Sequence, residues 1–187
     1  LRRLRPGRRL MPAAIAYHDA TVAPAPASRP YRPYGAALAL MTARDREIVL
    51  EGPADTGKSR ACLEKLYLCT RNYPGMRGGL FRKTRASLTQ TAMATLERHV
   101  LPPGSFAFHH ENQEYRFPNG SRLVVGGLDD PEQIKPPEPD VPYAQEGSEL
   151  DAAGWERPTT RVTGRPAVMP STPLLGDTTP PYPPLGP

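Results

Sequence analysis

The segment Glu47–Ser59, which reads EIVLEGPADTGKS, decides the fold. Its second half fits the pattern G-x-x-x-x-G-K-[ST], the sequence signature of a loop that binds phosphate groups. The two glycines allow the backbone to curl so that successive N–H groups point at phosphate oxygens. The pattern therefore predicts a site for a nucleotide phosphate chain at residues 52–59.

The chemistry of the last two positions favours a nucleoside triphosphate with a divalent cation. The ammonium group of Lys58 can reach the β- and γ-phosphates, and the hydroxyl group of Ser59 can complete the ligand shell of Mg²⁺. A helix that starts here would point its positive end at the same anion. The predicted ATP-binding residues are Gly52, Pro53, Ala54, Asp55, Thr56, Gly57, Lys58 and Ser59.

The sequence on both sides supports this interpretation over a chance match. Residues 48–50 are apolar and β-branched or aliphatic, which is typical of a buried parallel strand. After the loop, four apolar residues fall on one helical face before Asn72–Gly75 ends the helix. These residues are Ala61, Cys62, Leu66 and Cys69. The two cysteines on that face are predicted to be reduced core residues, in keeping with a cytosolic protein.

Composition divides the chain into a globular middle and proline-rich ends. Proline accounts for 25 of 187 residues, and the formal net charge is +5. Much of that charge lies in residues 1–10, LRRLRPGRRL, which we interpret as a disordered basic arm or as sequence upstream of a start at Met11. The positive charge also suits an anionic partner such as nucleic acid. No apolar run is long enough to span a membrane.

The middle of the chain shows a strand, a helix and a hairpin. Residues 78–82 resemble a short strand, and a helix with Leu88, Ala92, Leu96 and Val100 on its buried side follows it. The basic residues Arg82 and Arg85 lie where this strand meets the helix, which is the ligand-facing edge of a parallel sheet. Residues 115–117 and 122–125 flank an Asn-Gly pair, which predicts a hairpin with a type I′ turn.

A second functional strand is expected at residues 141–146, since a P-loop ATPase needs acidic groups that hold Mg²⁺ and polarise the attacking water. Glu146 is the carboxylate at the end of this run. Pro142 argues against a central strand because it cannot donate to the hydrogen-bond ladder. Near the N-terminus, Tyr31 or Tyr34 could stack on adenine, although a packing role is favoured.

From about residue 34 to residue 177 the chain resembles the ATPase domain of the large subunit of tailed-phage terminases, the DNA-packaging motors. Segments that match this family occur in the expected order. After the phosphate loop these are the Arg-Lys segment at 82–88, the hairpin and its sequel at 117–131, an acidic motif at 143–156, and a coupling motif at 175–180.

The resemblance implies an α/β P-loop NTPase fold of the RecA-like (ASCE) type, with a largely parallel sheet flanked by helices. Together with the composition, it predicts a basic, proline-rich arm at residues 1–30, an incomplete ATPase domain at 31–180 and a proline-rich tail at 181–187. The resemblance also implies a C-terminal nuclease domain, which is missing from this sequence. ATP hydrolysis with Mg²⁺ would drive double-stranded DNA into a procapsid in the host cytoplasm. The implied partners are a portal protein, a small terminase subunit and further copies of the chain in a ring.

The resemblance also implies roles for individual residues. Glu146 would orient or deprotonate the attacking water, and Lys58 with Arg82 or Arg85 would stabilise the transferred phosphoryl group. The residues implied in coupling are Thr178 and Thr179.

Several features depart from the family. Gln145 occupies a position that is commonly acidic, Thr179 replaces an expected Asn, and the phosphate loop has no Arg. The prolines at 136, 137 and 142 are foreign to a working acidic strand. Two alternatives therefore stay open: an inactive or truncated fragment that binds nucleotide or DNA without turnover, and another P-loop NTPase such as a small-molecule kinase.

Overall fold

The chain forms one mixed sheet with helices packed on it. A computed structural model describes residues 30–128, 139–150 and 174–178. Within these residues the sheet has seven strands in the order β1-β7-β6-β2-β5-β4-β3. Their bounds are β1 Glu47–Glu51, β2 Arg77–Arg82, β3 Ala107–His109, β4 Glu114–Arg116, β5 Arg122–Gly127, β6 Val141–Ala144 and β7 Leu174–Thr178.

The five strands from β1 to β5 in this order run parallel, and β4 and β3 continue the sheet as antiparallel strands. The phosphate-loop strand β1 is separated from β6 by β7, which comes last among the described residues. Because the carboxyl ends of parallel strands meet at one edge, the segments after β1, β2, β6 and β7 are neighbours. This mostly parallel α/β architecture confirms the fold class expected from the sequence.

Two helices flank the phosphate-loop strand in the chain. Helix α1 spans Ala36–Thr42, and helix α2 spans Lys58–Asn72. The predicted apolar face of α2 is buried, and both of its cysteines are buried free thiols. Helix α2 packs on α1, β2, β6 and β7, so its first turn is held against the edge of the sheet where β7 ends.

The helix predicted after β2 is present, but it is not a regular α-helix. It starts as α3, Arg85–Leu88, and continues with π-helical turns at Thr89–Met93 and Leu96–Val100. We call residues 85–100 the mixed helix. Its apolar residues recur every fourth position, and in an α-helix each such step rotates roughly 40° away from the starting face. The wider π turns offset this drift, and all four predicted residues are buried.

The predicted hairpin is present, but the predicted type I′ turn is wrong. The N–H of Phe117 donates to the carbonyl of Ser121, and the N–H of Gly120 donates to the carbonyl of Phe117. This is a three-residue loop in which Gly120, at a φ of 81°, has the left-handed conformation. Pro118 explains the difference, since its ring holds φ negative and favours the first position of an ordinary turn.

Two expectations about strands are also wrong. Strand β1 pairs only with β7 among the described strands, and Val49 is 49% exposed, so β1 is an edge strand rather than a buried one. Conversely, β6 is central despite Pro142, which is buried. Pairing of β6 with β7 begins at Tyr143, one residue after the proline, so that ladder loses no donor.

Several predicted segments lie outside the described residues. These are residues 1–29 of the arm, the prolines at 136 and 137, the last part of the acidic motif at 151–156, and residues 179–187. The domain boundaries at residues 30 and 180 therefore stay predictions. Among the described helices, none combines the length and apolar character that crossing a bilayer requires.

Lys65 fixes α1 to α2 and thereby positions the segment that leads into β1. Its ammonium group is buried and donates to the carbonyls of Leu40 and Ala43, both at 2.6 Å. These carbonyls lie at the C-terminal end of α1, where helical carbonyls lack partners within the helix. Burial lowers the pKa of Lys65, the expected direction for an ammonium group removed from water.

We expect Lys65→Met to reduce the free energy of unfolding by about 1–3 kcal/mol, because two carbonyls lose their donor while the side-chain volume is kept. Urea unfolding followed by circular dichroism measures this change. The matched control is Lys83→Met at an exposed lysine, for which we expect a change within about 0.5 kcal/mol. Equal stability of the two variants would contradict the assigned role.

Candidate active site

The phosphate loop has the backbone conformation that its glycine pattern predicts. It leaves β1 at Glu51 and enters α2 at Lys58. Gly57, at a φ of 81°, is left-handed and precedes the first residue of α2, which explains the need for glycine there. Asp55 is also left-handed, with a φ of 60°, a conformation that aspartate tolerates better than most residues. Residues 53–57 of the loop are exposed, so a ligand can reach this part of the loop.

The ammonium group of Lys58 is bound by the loop itself. It donates to the carbonyl oxygens of Gly52 at 2.8 Å and Pro53 at 2.5 Å, and it lies 3.5 Å from the hydroxyl of Thr56. The Thr56 hydroxyl in turn donates to the carbonyl of Pro53 at 2.9 Å. Since an ammonium group has three donors, the loop occupies all of them in this state. A phosphate that binds Lys58 would have to replace at least one of these contacts.

The hydroxyl of Ser59, in the first turn of α2, contacts a carboxylate that the sequence interpretation did not assign to the phosphate site. It donates to Oδ2 of Asp177 at 2.5 Å. Oδ1 of Asp177 accepts hydrogen bonds from the Tyr143 hydroxyl at 3.0 Å and from the N–H of Glu146 at 3.1 Å. Burial, with the nearby Cys62 thiol and the Asp177 carboxylate, raises the pKa of Tyr143, so its hydroxyl stays a donor.

A second chain of hydrogen bonds joins Gln145, just after β6, to Arg82 at the end of β2. The Thr91 hydroxyl lies 3.2 Å from Oε1 of Gln145 and accepts from Nη1 of Arg82 at 3.1 Å. The guanidinium of Arg82 also makes a two-point contact with the carboxylate of Glu149, at 2.9 and 3.2 Å. This contact raises the pKa of Arg82 and lowers the pKa of Glu149.

Glu146, the predicted catalytic carboxylate, follows Gln145 with a φ of 53°. This left-handed conformation is uncommon outside glycine and turns the chain sharply between β6 and the short 3₁₀ turn Gly147–Glu149. Its backbone N–H is held by Asp177, and the residue is half-buried. Strained backbone of this kind occurs often at active sites.

These segments line one cavity of about 620 Å³, within the range of small-molecule sites. Its walls come from the phosphate loop, the start of α2, the end of β2, the mixed helix and the residues after β6. The lining residues are Ala54, Asp55, Thr56, Gly57, Lys58, Ser59, Arg60, Arg82, Gln90, Thr91, Ala94, Thr95, Arg98, His99, Gln145 and Glu146. Four of them, Lys58, Arg60, Arg82 and Arg98, are cations that suit an anionic ligand.

The structure brings together most, but not all, of the residues predicted for the site. Lys58, Ser59, Arg82 and Glu146 share the cavity, whereas Arg85 is exposed and is not among its lining residues. Thr178 ends β7 and pairs with Glu51. Thr179 lies outside the described residues, so its role stays a prediction, as do the roles of the other residues.

Sequence reasoning included Asp177 in the coupling motif but gave it no role at the phosphate loop, and it missed the contribution of the mixed helix. The signal for Asp177 was present, because it follows the strand-like run 174–176 and carboxyl ends of parallel strands collect at one edge. The mixed helix gave no comparable signal, since Thr91, Arg98 and His99 match no motif. Tyr31 packs against the core with the Arg60 guanidinium 5.0 Å above its ring, while Tyr34 is 79% exposed.

Comparison with known proteins gives structural but not sequence matches. No protein-family model matches the chain, and no curated protein matches it. Among solved structures, the large terminase of a thermophilic bacteriophage is similar with a TM-score of 0.64 and 14% identity, over 78% of this chain and 38% of that one. The large terminase ATPase domain of Thermus phage P74-26 has a TM-score of 0.58 and 17% identity, over 80% and 66%.

A third match is the large terminase of bacteriophage HK97, with a TM-score of 0.55 and 12% identity over 76% of this chain and 31% of that one. The chain has the fold of the large terminase ATPase domain. Similarity at such low identity concerns the fold alone. This terminase fold confirms the architecture that the resemblance implied. The chain spans between 31% and 66% of the length of these three relatives. The first of the three terminases has also been solved with ATP-γ-S and with ADP.

The Arg82–Glu149 contact predicts a pH-dependent contribution to stability. We expect Glu149→Gln to reduce the free energy of unfolding by at most about 1 kcal/mol at pH 7, because the Glu149 side chain is 40% exposed and solvent screens the pair. Arg82 lowers the pKa of Glu149, so the contribution is complete above the ordinary glutamate value of about 4.3 and is lost as pH falls through the lowered value.

Urea unfolding at pH 7 and pH 3 measures this difference, with Glu111→Gln at an exposed turn residue as the matched control. An equal effect of Glu149→Gln at both pH values would show that the pair has no electrostatic role.

Proposed function

We propose that this chain is part of the ATPase domain of a phage large terminase, which hydrolyses ATP to move double-stranded DNA into a procapsid. The observation that carries the proposal is the position of the phosphate loop. Its lysine and serine lie in the same cavity as Glu146 and Arg82, at one edge of a sheet with the terminase fold. Hydrolysis of a phosphoanhydride needs this combination of phosphate ligand, cation and water-activating carboxylate.

In this proposal the phosphate loop binds the triphosphate. Backbone N–H groups of residues 54–58 surround the β- and γ-phosphates, as the left-handed turns at Asp55 and Gly57 allow. Lys58 exchanges a carbonyl of its own loop for a phosphate oxygen, which is a stronger, charge-assisted contact. The N-terminus of α2 adds its positive dipole end.

The residues at the start of α2 also fit a Mg²⁺ ion. The hydroxyl of Ser59 lies beside a buried carboxylate oxygen, and hard oxygen donors with nucleotide phosphates are the ligands that Mg²⁺ takes in such sites. When bound, the ion would neutralise charge on the β- and γ-phosphates. Ser59 is therefore the proposed metal ligand from the phosphate loop.

Glu146 is the proposed base for the attacking water, and Arg82 is the proposed stabiliser of charge on the γ-phosphate. Both residues line the cavity. Arg82 is held by Glu149, so it would have to turn from that carboxylate toward the phosphate. Arg85 stays a second candidate, and an arginine from a neighbouring subunit is a third. Thr178 and Thr179 are proposed to transmit the hydrolysis step to DNA.

The proposal extends to the whole protein. A portal protein and a small terminase subunit would be the partners, several copies would form a ring, and the motor would work in the host cytoplasm. This chain would then be one part of that longer protein, consistent with its spanning 38% of the terminase from the thermophilic bacteriophage.

The first test measures phosphate release from ATP, with and without double-stranded DNA. We expect DNA to stimulate turnover, and Lys58→Ala to lower it at least about a hundredfold through loss of a positioned cation on the phosphates. Arg71→Ala, at an exposed cation outside the cavity, is the matched control and should leave the rate unchanged. Turnover that responds to a small phosphoryl acceptor instead of DNA would favour the kinase alternative.

The second test separates binding from chemistry. We expect Glu146→Gln to bind a labelled ATP analogue with unchanged affinity and to hydrolyse ATP about 10²–10⁴-fold more slowly, since the base is lost while the shape is kept. Glu111→Gln is the control. Hydrolysis by Glu146→Gln at the parental rate would refute the assignment. An unaltered chain that binds ATP without hydrolysing it would support the alternative of an inactive fragment.

A further inference from the structure

The usual place for a metal-binding carboxylate in this fold carries an amide in this chain. P-loop ATPases hold Mg²⁺ with the loop Ser or Thr and an acidic residue at the end of a second strand. Here that strand is β6, and the residue after it is Gln145. Its side chain is buried, and its oxygen interacts with Thr91 at 3.2 Å rather than with Ser59. An amide at this position adds no negative charge to offset a divalent cation.

The neighbouring strand supplies the missing charge. Strand β7 lies between β1 and β6, and Asp177 pairs in register with Leu50, just before the phosphate loop. Asp177 is 1% exposed, and its Oδ2 lies 2.5 Å from the Ser59 hydroxyl. The other carboxylate oxygen is fixed by Tyr143 and by the backbone of Glu146. Residues 143–146, at the end of β6, therefore hold this carboxylate against the start of α2.

The charge of Asp177 also lacks a cationic side-chain partner in the part of the chain that the structure describes. Its hydrogen-bond donors there are two hydroxyls and one backbone N–H, and none of the ion pairs between described residues includes it. A buried carboxylate without a paired cation is costly, so such groups commonly coordinate metal ions. The adjacent hydroxyl and the adjacent phosphate loop are the remaining ligands that a Mg²⁺–nucleotide needs.

We propose that Asp177, on β7, is the carboxylate that holds the Mg²⁺ of the bound nucleotide together with Ser59, in place of residue 145. This inference rests on the proposed nucleotide site at residues 52–59. It moves the metal-binding charge one strand closer to the phosphate loop. Asp177 directly precedes Thr178. The proposed metal ligand and the first of the two residues proposed for coupling therefore lie on the same strand.

The experiment measures how strongly a divalent cation tightens nucleotide binding. A fluorescent, non-hydrolysable ATP analogue is titrated into the chain with excess EDTA and then with Mg²⁺, and the ratio of the two dissociation constants is the readout. Asp177→Asn is the main variant, because asparagine keeps the side-chain shape and can still accept from Tyr143 and Glu146. We expect the Mg²⁺ enhancement to fall about 10–100-fold, while affinity in EDTA stays at the parental value.

Two further variants separate metal binding from structure. Tyr143→Phe removes a hydrogen bond to the same carboxylate but keeps its charge, so the Mg²⁺ enhancement should change less than about threefold even if the melting temperature falls. Gln145→Asn tests the rival position and should also change the enhancement less than threefold. An unchanged enhancement in Asp177→Asn, or a loss confined to Gln145→Asn, would overturn the inference.

A direct measurement on the unaltered chain keeps the inference testable if Asp177→Asn does not fold. Crystals grown with Mn²⁺ and the same analogue locate the ion by anomalous scattering. A peak beside Ser59 whose nearest carboxylate is Asp177 supports the inference, and a peak whose nearest carboxylate is Glu146 overturns it. A chain that binds no analogue at millimolar concentration, with or without metal, would instead refute the proposed nucleotide site.

Discussion

The contact between Ser59 and Asp177 joins the first turn of α2 to the end of β7, and the rest of the site depends on this connection. Strand β7 lies between the strand that carries the phosphate loop and the strand that carries Glu146. The Asp177 carboxylate accepts hydrogen bonds from Ser59 in α2, from Tyr143 in β6 and from the backbone of Glu146 just after β6. One buried side chain therefore links the phosphate loop to the segment that carries Glu146, the proposed catalytic carboxylate.

The sequence was sufficient to predict features that depend on local chemistry. The phosphate loop and α2 are specified by two glycines, a lysine and one apolar helix face within a short segment, so the strand, loop and helix at residues 47–72 could be predicted. The sequence also predicted the hairpin at 114–125 correctly. The sequence did not predict its turn type, because Pro118 and the Asn-Gly pair favour different turns. The hydrogen bonds of the loop show that the restriction of φ by the proline decides the turn.

Features that depend on strand order could not be predicted in the same way. Burial of a strand is set by its neighbours, and an apolar run such as 48–50 fits an edge strand that pairs on one side as well as a central one. The place of Asp177 depends on β7 inserting between β1 and β6, although more than a hundred residues separate it from Ser59. The sequence did not predict that the mixed helix lines the cavity, because its polar residues there belong to no recognised motif.

Both principal cations of the site are bound by the protein itself, and this constrains how a nucleotide could enter. Lys58 is held by carbonyls of its own loop, and Arg82 is held by Glu149 and Thr91. A phosphate group can make a charge-assisted contact with Lys58 or Arg82 only by displacing these partners. The net free energy of binding is therefore smaller than the new contact alone would give. If Arg82 moved toward a phosphate, Glu149 in the 3₁₀ turn would lose its partner. Thr91 would lose its contact with Arg82, which would weaken the link from Arg82 to Gln145. Nucleotide entry would thus loosen the connection between β2, the mixed helix and the segment after β6, which are the elements around the proposed catalytic carboxylate.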